Sequence, residues 1–161
     1  MYPEKTNNYA SLPRYAGDGG NTDGLTLAFI GDAVYELMLR DLVLSSAAAR
    51  VEVLHRDAVY YANASFQAQA ADRLRPLLSE EEADIYRRGR NAHTSHTPKN
   101  KTEAEYHKAT GFEALFGWLY LKGDGERLQT LFLAAVNETP EPEEAPADKP
   151  RKKSIIRRKP L

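Results

Sequence analysis

The chain has 161 residues, 42% of them apolar, with 22 Lys+Arg against 23 Asp+Glu for a net charge of −1, and it contains no cysteine. A chain of that length buries one good core but not two. The absence of thiols excludes disulfide scaffolds, thiolate zinc sites, iron–sulfur clusters and cysteine nucleophiles, and suits a reducing cytosol.

Residues 1–23 are rich in Gly, Asn, Asp and Tyr without apolar periodicity and include the turn-forming run Gly17-Asp18-Gly19-Gly20; they read as a flexible extension. They lack the apolar stretch of a signal peptide, so export by that route is not expected. From Leu25 to Leu44 the residues Leu27, Ile30, Val34, Leu37, Met38 and Leu42 recur at three- and four-residue intervals, the period of a helix face. A second helical stretch runs from Arg50 to Leu78, carrying Val51, Leu54, Ala58, Tyr61 and Leu74, with Pro76 as a breaker. Two capping boxes open later helices, Ser79 with Glu82 and Thr102 with Glu105, each Ser or Thr accepting from a free amide while Glu reaches back. The second leads a long helix to Gly123, a C-terminal cap. A last helix from Glu126 to Asn137 places Leu128, Leu131, Phe132 and Ala135 on one stripe. Nothing alternates with period two, so an all-α domain over 24–138 is predicted. No apolar run approaches the ~18 residues of a membrane span. Residues 139–161 turn from acidic and Pro-rich to the basic RKKSIIRRKPL and read as disordered. Their four acids and seven bases give the tail +3 and leave −4 on the rest.

Some apparent motifs carry no chemistry. His55-Arg56-Asp57 resembles a kinase catalytic-loop fragment, but Asn63 is one residue too far along and no Gly-rich loop accompanies it. His93 and His96 have no third ligand near them in sequence. Asn63-Ala64-Ser65 fits a glycosylation pattern that has no meaning in a cytosol.

Tyr86 to Lys101 is different. It holds five bases (Arg87, Arg88, Arg90, Lys99, Lys101), two histidines and no acid, within a region of net negative charge. A solvated helix end is one reading, since cations favour the negative pole of the macrodipole. Lys99-Asn100-Lys101, beyond the break at Pro98, is better explained by contact with phosphates. Two carboxylates also interrupt apolar runs: Asp32 in Phe29-Ile30-Gly31-Asp32-Ala33-Val34, and Glu113 in Gly111-Phe112-Glu113-Ala114-Leu115. Taken singly, each could face water or pair with an Arg. Together they would suit Mg²⁺, which is commonly held by one or two carboxylates, waters and substrate phosphate oxygens. Beside a basic strip, this points to metal-assisted phosphodiester hydrolysis.

At these residues the sequence resembles the ribonuclease III family. Leu27 to Val34 (LAFIGDAV) is similar to the family's signature helix, and Thr110 to Gly117 (TGFEALFG) to its second metal-binding helix. Leu54-His55-Arg56, Arg88-Gly89-Arg90-Asn91-Ala92 and Thr97-Pro98-Lys99-Asn100 are similar to the Mini-ribonuclease III branch, which consists of the catalytic domain alone. The resemblance implies an all-α, homodimeric, Mg²⁺-dependent endonuclease that cuts double-stranded RNA. It implies the large-subunit (23S) ribosomal RNA precursor as substrate, a ribosomal protein or pre-ribosomal particle as a further partner, and no membrane. Residue by residue, Asp32 and Glu113 match the family's catalytic and metal-binding acids, while Ala28 and Thr110 stand where full-length members carry two further acids. Glu36, one turn beyond Asp32, is a candidate outer-shell partner. Arg87, Arg88, Arg90 and Lys99 are expected on RNA phosphates, Asn91 and Asn100 on sugar or base edges, and Phe29 at the dimer interface. The losses at Ala28 and Thr110 leave a second reading open, a double-stranded-RNA-binding module with the same fold but no chemistry.

Overall fold

A computed structural model describes residues 15, 17, 19–46, 50–92 and 102–137. Lys99, Asn100, the two histidines between Asn91 and Pro98, and the tail lie outside the described residues. Among the described residues six α-helices follow one another: α1 (Gly24–Ser46), α2 (Val51–Ala62), α3 (Ala64–Leu74), α4 (Glu80–Arg90), α5 (Glu103–Lys122) and α6 (Gly125–Asn137), with a 3-10 turn at Arg75–Leu77.

Local sequence sets most helix ends. Both capping boxes form as predicted, Ser79 and Thr102 accepting from the amides of Glu82 and Glu105, each at 3.2 Å. Gly123 ends α5 at φ 78°, a left-handed conformation that glycine adopts without strain. Two further caps are Asp23, whose Oδ1 accepts from Leu25 and Thr26 at 3.1 and 3.0 Å, and Asn63. Asn63 is extended at ψ 150° and accepts from Phe66 N at 2.9 Å. The stretch predicted as one helix from Arg50 is therefore two, because an Asn side chain competes with the backbone for amide protons and favours a new start.

α5 is the central helix, with α1, α3, α4 and α6 packed against it. From Ala109 to Leu119 every residue is buried except Glu113, which is half-buried. α1 turns Leu27, Gly31, Tyr35, Leu39 and Val43 inward, one residue in every four, with side chains stacked along one face. This corrects the predicted stripe: Ile30, Val34, Met38 and Leu42 only flank the core, and Leu37 is 65% exposed. Because α1 is apolar on several faces, periodicity alone does not select the buried one. Tyr35 sits at the centre of the core, edge-on to Phe112, Phe116 and Phe132 at 4.9, 5.4 and 5.8 Å, with its hydroxyl donating to Tyr61 O at 3.1 Å. Burial pushes its phenol pKa up.

Polar locks tie the periphery down. Arg127 of α6 forks onto both oxygens of Glu82 at 2.7 and 2.8 Å and donates to Leu77 O at 2.7 Å, joining α4, the 3-10 turn and α6. Arg88 donates to the carbonyls of Gly20 and Thr22 at 2.7 and 2.6 Å, so the residues just before α1 are docked on α4. No helix among the described residues is long and apolar enough to cross a membrane.

Candidate active site

The site arises where α1 crosses α5. A Cβ on Gly31 would lie 1.7 Å from Glu113 O, and one on Gly117 would lie 2.0 Å from Leu27 O. Only glycine fits either position, so the two helices meet backbone to backbone. That contact carries Asp32, which follows Gly31, and Glu113, one turn before Gly117, to the same cavity of about 410 Å³. Its wall includes Ala28, Phe29, Ala64, Tyr106 and Thr110. Asp32 lies at the exposed edge and Glu113 deeper.

The electrostatics are those of an uncompensated pair. The pKa of Glu113 is raised to about 8, chiefly by burial and then by the Asp32 charge, with Gln67 opposing the shift and Glu36 adding to it. Burial also raises Asp32, reinforced by Glu36 and offset by Arg40. Glu36 itself is paired with Arg40. Among the described residues no cation forms an ion pair with Asp32 or Glu113. No set of three or more metal-ligating side chains among the described residues converges there. Two hard oxygen donors that repel one another, Glu113 half-buried and Asp32 at the exposed edge, fit a divalent cation that completes its shell with waters and phosphate oxygens.

The basic strip divides by role. Arg87 and Arg90 are exposed at the end of α4, Arg87 pairing with exposed Asp84 at 2.9 Å. Asn91 is exposed at the C-cap, its amide donating to Arg87 O at 2.9 Å. Arg88 instead turns inward onto the Gly20 and Thr22 carbonyls. Phe29 is 82% exposed beside the cavity, although its neighbours Leu27 and Ala28 are buried. Sequence reasoning missed Gln67, which is 1% exposed on α3 and directed at Glu113. Nothing local separates it from Gln69, two residues on and exposed.

A model of the Ribonuclease III domain matches residues 25–124. The chain belongs to the ribonuclease III family of endoribonucleases. Within the family it is similar to the Mini-ribonuclease 3 proteins. That of Symbiobacterium thermophilum is 48% identical over 113 residues, covering 70% of this chain and 87% of the relative. That of Enterococcus faecalis is 41% identical over 124 residues, covering 74% and 94%. A crystal structure of a Fusobacterium nucleatum protein superposes with a TM-score of 0.66 at 30% identity, covering 73% of this chain and 93% of that one. In this ribonuclease III domain, Ala28 and Thr110 line the same cavity as Asp32 and Glu113. The two neutral residues noted in the sequence are thus part of the acidic site, and Thr110 spends its hydroxyl proton on Tyr106 O at 3.0 Å.

Proposed function

We propose that this ribonuclease III-family chain is a cytosolic, homodimeric, Mg²⁺-dependent endonuclease of double-stranded RNA that acts in maturation of the large-subunit ribosomal RNA precursor. The observation that carries the reading is the convergence of Asp32 and Glu113, unpaired, on one cavity at the α1–α5 crossing. Asp32 and Glu113 would hold Mg²⁺, which would supply Lewis-acid chemistry to the scissile phosphate and a water of lowered pKa. Glu113, ionised on cation binding, anchors the buried side of the site, and Asp32 anchors the side open to solvent. Ala28, Phe29, Ala64 and Ala109 form an apolar wall beside them.

Recognition is assigned to the end of α4. Arg87 and Arg90 present exposed guanidinium groups to phosphates, Asn91 reaches sugar or base edges, and Lys99 and Asn100 extend the strip. Arg88 serves that surface by holding the segment before α1 in place. The shallow groove of A-form RNA favours recognition of shape over sequence. The second subunit is assigned to the outer face of α1, where Phe29, Ala33 and Leu37 lie exposed at four-residue spacing. A contiguous apolar strip left in water is the mark of an interface. A two-fold dimer would present two sites to the two strands of one duplex.

The deciding experiment is cleavage of a perfect RNA duplex with Mg²⁺ and mapped ends, wild type against Asp32→Asn. Mapped cuts on both strands that vanish in the variant are expected. A duplex that is bound but never cut would leave a binding module, the reading that Ala28 and Thr110 favour. Sedimentation of Phe29→Ser as a folded monomer, against a wild-type dimer, tests the assembly.

A further inference from the structure

Gln67 is the one polar residue among the six buried positions of α3, the others being Phe66, Ala68, Ala70, Ala71 and Leu74. Its Nε2 is buried and completes no hydrogen bond of full geometry with any described residue. An unsatisfied buried amide costs roughly 1–3 kcal/mol, and at this helix position a Met or Leu would avoid that cost. Gln67 lies one turn after Ala64, which lines the cavity, and its amide is directed at Glu113 across the α3–α5 contact. Asp32 and Glu36 repel the same carboxylate. When Glu113 is ionised, an N–H donor in that place is the protein group able to hold it against this repulsion.

We propose that Gln67 is the positioning residue for Glu113: its buried amide donates to the ionised carboxylate, holds the far oxygen toward the cavity, and thereby sets the affinity of the site for a divalent cation. The proposal rests on the two-carboxylate metal site described above. Residues that orient a metal ligand from behind typically change affinity by about 10- to 100-fold when removed.

The test is Mg²⁺ binding to the full chain by calorimetry, without RNA, for wild type, Asp32→Asn, Gln67→Met and Gln67→Asn, with thermal unfolding in EDTA alongside. Gln67→Met keeps the shape and removes the donor. It is expected to weaken Mg²⁺ about tenfold while leaving the melting temperature unchanged or higher, as an unsatisfied amide is lost. Gln67→Asn keeps the amide but shortens its reach, and is expected to weaken Mg²⁺ as well. Loss of melting temperature in either variant with Mg²⁺ affinity within twofold of wild type would make Gln67 purely structural and overturn the proposal. Should Gln67→Met not fold, the wild-type protein decides through NMR: the Gln67 side-chain amide protons shift on Mg²⁺ addition, and resonances that stay in place overturn the proposal. Wild type that binds no Mg²⁺ would overturn the metal site itself, and this inference with it, an outcome distinct from binding that Gln67→Met leaves intact.

Discussion

Glu82 and Glu113 are the same residue type on neighbouring helices, and the protein treats them in opposite ways. Glu82 is 5% exposed, yet both its oxygens are held by Arg127, and Ser79 N donates to it at 2.8 Å. The Arg127 hydrogen bonds hold its pKa below the usual carboxylate value despite burial. Glu113 is less buried, but no Arg or Lys among the described residues pairs with it, and its pKa rises to about 8. Burial therefore does not by itself decide the state of a carboxylate; the donors around it do. A satisfied acid is a fastener, whereas one without a cationic partner beside a second acid holds its proton until a cation can replace it.

The largest expected effect comes from removing half of that waiting pair. Asp32→Asn keeps the shape and loses the charge, and duplex cleavage at saturating Mg²⁺ should fall about a thousandfold or more, ~4 kcal/mol in the barrier, with the melting temperature within a few degrees of wild type. Next is the fastener: Arg127→Met leaves Glu82 buried and unpaired and should destabilise the fold by about 2–3 kcal/mol in urea unfolding, a figure reduced because Arg127 is partly exposed. Cleavage per folded molecule should be unchanged. If Arg127→Met abolished cleavage while Asp32→Asn did not, the roles assigned to the two regions would be reversed.

Smaller effects sharpen the contrast through its sign. Glu113 has a native pKa of about 8 against an ordinary 4.5, so the native state binds its proton more tightly than the unfolded chain does. The metal-free protein thus pays no penalty at Glu113 below the ordinary value, loses stability as pH rises from there, and reaches the full penalty above about 8. Glu113→Gln should stabilise the metal-free protein at pH 8.5 by ~1–3 kcal/mol, even as it abolishes cleavage. Glu82 behaves in the reverse sense: its contribution is present above the ordinary carboxylate pKa and disappears as acid protonates it. Finally, Mg²⁺ competes with the Glu113 proton, so its affinity should fall by up to about tenfold per pH unit below 8 and level off above it. A flat calorimetric profile from pH 6.5 to 8.5 would contradict the raised pKa.

How much of this could be read from the chain varies with the range of the interaction. Ser79, Thr102 and Gly123 were predicted as caps because a cap is decided by residues three or four apart. Asp32 and Glu113 stood out because an acid inside an apolar run is a local anomaly. The split at Asn63 was missed: an Asn within a helical pattern is either a surface residue or a cap, and only the path of the chain distinguishes them. Arg88 was grouped with Arg87 and Arg90 by charge, but the carbonyls that claim it lie 68 and 66 residues away. Gln67 carried no signal at all.

By itself, then, the sequence determined an all-α chain and the identity of its two unusual acids, since these follow from side-chain chemistry and short-range periodicity. Tertiary structure decided which face of α1 is core and which is left bare with Phe29. It also decided that Gly31 and Gly117 meet backbone to backbone, and that Glu113 has Gln67 rather than an arginine behind it. The physical reason is that a carboxylate's pKa and a helix's buried face depend on what is packed across from them, and those partners come from distant parts of the chain.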